Sequence, residues 1–179
     1  MTDQPIPDEA LVDTNVLLVA NGQHERMGMA CKARCGRVLE QMRRRRVVVD
    51  QLQEIVGEYR HKAHASGQPG LGDRFLRHVL ENLGNQERVR QVAINRDEQA
   101  LKGYREFPDH PGLQDFDADD AKFVAAAKAA GDAPILEAAD SKWLGWAGSL
   151  WACGVEVQFV CQERLEAIRA ERRGEEADG

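Results

Sequence analysis

The chain has 179 residues, of which 42% are hydrophobic, 30% charged and 6% aromatic, the balance of an ordinary soluble domain long enough for one sizeable core. A formal net charge of −6 argues against a general nucleic-acid coat protein. It does not exclude an enzyme acting on nucleic acid, because a cation-binding group of acids inflates the negative count. No apolar run approaches the roughly 20 residues that cross a bilayer, and Met1–Glu9 is polar and acidic with two prolines, unlike a secretory signal. A cytoplasmic protein with no membrane association is the expectation.

Residues 1–9 read as a flexible lead-in. Ala10-Leu11-Val12 then forms a short apolar strand that meets Asp13, which reads as a site acid or simply as a helix cap, with Thr14 or Asn15 also free to cap a helix beginning with Val16–Ala20. Asn21-Gly22 breaks that pattern, and a second helix is predicted from about Met27 to Arg43, with Ala30, Cys31, Val38, Leu39 and Met42 as its apolar stripe. The run Arg43–Arg46 leads into Val47-Val48-Val49-Asp50, a fully buried strand. That run reads as a solvated connection, or as a phosphate-holding patch. In the helical stretch Gln51–His64, Glu54 and Glu58 share one face, a like-charge spacing that asks for a neighbouring cation such as Arg60, His61 or Lys62.

Ser66–Asp73 is a loop by its glycines and proline, Asp73 being placed to cap a helix over Arg74–Leu83. A third strand follows at Val89–Ile94, then a polar helix-plus-turn region to Phe107 and a loop around Pro108–Gly112. Asp117, Asp119 and Asp120 crowd the first turn of an alanine-rich helix, more acid than the helix dipole needs. The fourth strand, Ala133–Ala139, runs into Asp140-Ser141, repeating the strand-then-aspartate design of Asp13. Trp143–Cys153 is helical and closed by Gly154, and Val155–Val160 is the fifth strand. Residues 162–179 form a charged tail with no apolar periodicity after Ile168, expected to be a frayed helix or disordered. The tryptophans Trp143, Trp146 and Trp151 share roughly one helix side, a core-packing pattern. The cysteines lack a C-x2-C pair and read as reduced, buried thiols rather than zinc ligands.

Five alternations of strand and helix specify an α/β protein, a three-layer α/β/α sandwich around a five-stranded parallel sheet. Right-handed crossovers put the carboxyl ends of all strands on one edge. If strands one and four are neighbours, Asp13 and Asp140 face each other across the crevice where ligands bind. Asp120 and Glu58 can lean into the same crevice. Carboxylates so crowded need a cation to stay ionised, and all-oxygen donors suit Mg²⁺ or Mn²⁺. An ion held there with an acidified water is equipment for hydrolysing a phosphodiester.

Asp13-Thr14-Asn15, Glu58, Asp120 opening an alanine-rich helix, and Asp140-Ser141 at a strand end together resemble the PIN domain, over roughly residues 10–161. The resemblance implies a Mg²⁺- or Mn²⁺-dependent ribonuclease acting on single-stranded RNA, of the toxin or RNA-processing endonuclease kind. It assigns Asp13, Glu58, Asp120 and Asp140 as catalytic metal ligands and Asn15 as the residue that steadies Asp13. Glu54 remains an alternative to Glu58, and Asp117 or Asp119 to Asp120. Lys142 departs from the pattern, since many members carry a second acid there. That departure supports the alternative of a catalytically inactive PIN-like interaction or regulatory module. An aspartate-nucleophile phosphatase would want an acid where Asn15 stands. RNA is the expected partner ahead of DNA, with homo-oligomerisation or a small antitoxin-like protein as the protein partners left open. Arg43–Arg46, Arg60, Lys62, Arg74 and Arg77 are the candidate backbone-binding residues.

Overall fold

The computed structural model describes residues 4–64, 69–131 and 133–177. Residues 1–3 of the lead-in, 66–68 of the predicted loop and 178–179 of the tail lie outside the described residues. Five parallel strands, β1 (Glu9–Val12), β2 (Arg46–Asp50), β3 (Val89–Val92), β4 (Ile135–Glu137) and β5 (Val157–Phe159), form one sheet in the order β3-β2-β1-β4-β5. Among the described residues seven helices flank it: α1 (Thr14–Ala20), α2 (Gly28–Met42), α3 (Glu54–Lys62), α4 (Leu71–Glu81), α5 (Ala121–Ala130), α6 (Trp143–Ala152) and α7 (Gln162–Ala177). The architecture is the expected three-layer α/β/α sandwich. No helix among the described residues is long and apolar enough to cross a membrane.

The order places β1 in the middle, paired in register Leu11 to Ile135 and Val12 to Leu136 with β4, and Glu9 to Arg46 and Ala10 to Val47 with β2. The chain turns back at β1, so the switch point of the sheet falls between β1 and β4. Val47, Val48 and Val49 are fully buried, as a run of three valines in a sheet covered on both sides must be. The alanine-rich face of α5 lets that helix lie close across β1, β2, β3 and β4.

Several predicted boundaries shift for physical reasons. Asp13 itself caps α1, its Oδ1 accepting from the Asn15 amide at 2.8 Å, so neither Thr14 nor Asn15 is the cap. Helix α4 starts at Leu71 rather than Arg74, because Asp73 sits inside the first turn and accepts from the Gly70 amide at 2.9 Å. The 95–107 region is a short 3-10 helix, Leu101–Gly103, with turns on either side, held together by a bridge between Arg96 and Tyr104. The tail is a helix, because Leu165 and Ile168 bury themselves against the body. Trp143 and Trp146 are core residues, but Trp151 is 68% exposed, so the tryptophan stripe is two residues rather than three. All four cysteines are free, with Cys31, Cys35 and Cys161 buried and Cys153 half-buried.

Gly72 lies where α4 meets α1. A Cβ there would run into the backbone carbonyl oxygen of Leu17, and Asn21 Oδ1 already accepts from the Gly72 amide at 2.8 Å. Because the obstacle is backbone, Gly72→Ala is expected to destabilise the protein by about 2–3 kcal/mol, the cost of forcing an overpacked contact apart. A urea midpoint equal to that of the parent protein would refute this.

Candidate active site at the carboxyl edge of the sheet

Parallel strands bring the ends of β1 and β4 side by side, and the Asp13 amide donates to the Leu136 carbonyl at 2.9 Å. The conditional expectation of the sequence is met: Asp13 and Asp140 emerge on the same edge from neighbouring strands. The Tyr59 hydroxyl on α3 donates to the Val12 carbonyl, which anchors the helix carrying Glu58 against the last residue of β1. Asp50, fully buried at the end of β2, accepts from the Glu54 and Ile55 amides at 3.0 and 2.9 Å and so starts α3 at that edge.

The most buried acid of the site was not singled out from the sequence. Glu137, the last residue of β4, is fully buried beside Asp13, which is 2% exposed. Glu137 Oε1 accepts from the amides of Ala138, Ala139 and Asp140 at 2.8–2.9 Å and from Asn15 Nδ2 at 3.3 Å. Asn15 therefore steadies both acids, Asp13 through its backbone amide and Glu137 through its side chain. Glu137 Oε2 is buried with no donor. Burial, and then the charge of Glu137, push the Asp13 carboxyl well above the usual carboxylate range, and burial also raises Glu137. One proton shared by such a pair relieves the repulsion in the absence of a cation. The available signal was an ionisable residue inside the apolar run Ile135-Leu136-Glu137-Ala138-Ala139, since glutamate is almost never fully buried without a partner.

Asp120 ends the tight turn that opens α5, where Trp143 Nε1 donates to its Oδ2 at 3.3 Å. Burial, followed by the charges of Asp13 and Asp117, raises its carboxyl to about 7. Asp140 adds to the same field, and its Oδ1 accepts from the Lys142 amide at 2.9 Å. Asp117 caps the turn by accepting from the Asp119 amide at 3.1 Å, whereas Asp119 is exposed. Of the three clustered acids, Asp120 and Asp117 share the field of the crevice, and Asp119 is exposed.

Glu58 and Glu54 separate in the same way. Glu58 contributes to the field on Asp13. Burial works against its charge, but Lys122 and Lys62 hold it below the usual range, the Lys62 ammonium at 3.4 Å. Glu54 is engaged elsewhere, accepting from Arg96 Nε at 2.9 Å and from the Tyr104 hydroxyl. The cation demanded by the Glu54–Glu58 spacing thus comes partly from Lys62 and mainly from distant chain, Lys122 and Arg96. Among the described residues, no three His, Cys, Asp or Glu side chains are already grouped as a metal cage.

The arginine run lies elsewhere. Arg46 opens β2 at the amino end of the strands, opposite the acids. It pairs with Glu9 at 2.5 Å, Arg43 with Glu40 at 3.1 Å, and Arg45 with Asp8. As a phosphate patch beside the crevice the run is excluded by the direction of β2.

Fold and site together define an α/β protein with a buried acidic crevice at the switch point of its parallel sheet. Compared with family models, with curated proteins and with solved structures, the chain gives no match.

Proposed function

We propose that this chain is a Mg²⁺- or Mn²⁺-dependent endoribonuclease acting on single-stranded RNA. The observation that carries the reading is the meeting of Asp13, Glu137, Asp120 and Asp140 at the β1–β4 edge, with Asp13 buried against Glu137 and Asp120 raised to about 7. The donor set fits a hard divalent ion: every candidate ligand is a carboxylate oxygen, Glu137 Oε2 is buried without a donor, and the site holds more negative charge than it can ionise alone. Asp13, Asp120 and Asp140 would hold the ion, with Glu58 joining from α3 on release from Lys122. When bound, the ion supplies an acidified water and neutralises charge on a phosphate oxygen. Around it, Asn15 orients Asp13 and Glu137, Trp143 orients Asp120, and Tyr59 keeps α3 seated on β1.

Purified protein with Mn²⁺ should cut single-stranded RNA and melt higher than in EDTA. An ion at about 100 times its Kd stabilises by about 2.7 kcal/mol, or roughly 5–10 °C for a chain of this size. The pairing of Glu58 with two lysines favours a second reading, a non-catalytic interaction module whose crevice is closed by its own cations. Neither a Mn²⁺ shift nor cleavage would leave that second reading standing.

A further inference from the structure

Leu165, Ile168, Arg169 and Arg172 follow the spacing that puts side chains on one face of α7. The first two are buried, at 0% and 3% exposure, so this face is the one turned to the body, and its last two members are arginines rather than apolar residues. Arg172 Nη1 donates to Ser141 Oγ at 3.2 Å, one residue from Asp140. Arg169 lies over the first turn of α6, where a Cβ on Gly145 would stand 3.3 Å from its Nη2. Lys142 lies in between, its ammonium 3.9 Å from Asp117. Glu171, next to Arg172 in the chain, is engaged elsewhere, pairing with Arg26 at 3.3 Å and Arg164 at 3.4 Å. A cavity of about 680 Å³ opens at Lys142 and Gly145, with Asp115 and Asp117 also in its wall and the two arginines outside it.

We propose that α7 lays Arg169 and Arg172 beside Asp140 as a binding site for the backbone phosphates of single-stranded RNA, with Lys142 as its third cation. The inference rests on the nuclease reading and adds where the strand is held. An acidic crevice repels a polyanion, so the neighbouring phosphates need a local positive track in a protein of net charge −6. Guanidinium groups suit it because their planar donors match phosphate oxygens.

The test measures binding of a fluorescein-labelled single-stranded RNA of about 12 nucleotides by anisotropy across a salt series, in EDTA so that nothing is cut. Each phosphate contact on a single strand contributes a log–log salt slope of about 0.7. Arg172→Ala should lower the slope by about that amount and weaken binding roughly 3–10-fold, and the Arg169→Ala/Arg172→Ala double variant should lower it about twice as far. Arg172→Lys should keep the slope, as should Arg45→Ala at the opposite edge. If the parent protein binds RNA but the alanine variants keep its slope, or Arg45→Ala loses as much, the α7 site is wrong and the nuclease reading survives. A change in melting temperature alone would assign Arg172 a merely structural bond to Ser141 and overturn the proposal. Absence of any salt-dependent RNA binding by the parent protein in EDTA would overturn the α7 site, while the nuclease reading stands or falls on the Mn²⁺ cleavage assay.

Discussion

Asp13→Asn is expected to abolish Mn²⁺-dependent RNA cleavage while making the metal-free protein more stable. The two effects have opposite signs because they concern different states of one pair. In the metal-free protein Asp13 and Glu137 are two buried acids facing each other, and Glu137 Oε2 has no donor. An asparagine keeps an oxygen for the Asn15 amide and brings an N–H₂ group that can donate to Glu137. One hydrogen bond to a charged group, with a repulsion removed, contributes about 1–3 kcal/mol, or a rise of a few degrees in melting temperature. With Mn²⁺ the lost carboxylate costs a ligand at the most enclosed point of the site, and cleavage should fall at least about a thousandfold. Melting curves in EDTA and cleavage assays with Mn²⁺ on the same preparation read both. Undiminished cleavage would remove Asp13 from the reaction. A metal-free variant that melts several degrees lower would mean that the carboxyl group itself holds the fold.

The second large effect is on stability against pH. Asp13 and Asp120 bind protons in the folded state at pH values where the unfolded chain has released them. Stability contributed by a raised carboxyl is present at low pH and lost as pH rises through its folded value. For Asp120 that value is about 7, so the loss runs from about pH 4, where the unfolded chain ionises, and ends just above neutrality. His24 and His78, lowered mainly by burial, act in the other direction only below their ordinary range, around 6.5, and Glu58, held low, acts only in acid. Between pH 6.5 and 8.5 in EDTA, Asp120 should therefore contribute a loss of about 1 kcal/mol at most, allowing for its partial exposure, with Asp13 acting in the same direction, and the protein should melt a few degrees lower. Asp120→Asn should flatten that dependence, and Mn²⁺ should reverse it by replacing the protons. A melting temperature that is constant or rises with pH would contradict the electrostatic account of the crevice.

Asp13 and Asp140 were legible because each stands where an apolar strand gives way to small polar residues, a local pattern. Asp120 was legible only as one of three candidates, and Glu58 as one of two. What separated them was distant: Lys122 draws Glu58 to the crevice, while Arg96 and Tyr104 tie Glu54 to the loop before α5. Glu137 was hidden in plain view, one acid in a strand otherwise read as apolar.

Local periodicity, capping residues and glycine breaks determined the five strands and most of the helices, because those are fixed by contacts a few residues apart, and the alternation of the two then implied a parallel sheet. The strand order β3-β2-β1-β4-β5 was decided in three dimensions, and with it every question of which charge meets which. A carboxylate's neighbours lie up to 124 residues away, as Glu137 does from Asp13, and Coulomb forces act over distance in space, not along the chain. For the same reason four consecutive arginines fell at the wrong end of β2, while Arg172, in a tail read as a frayed helix or disorder, came to rest on Ser141.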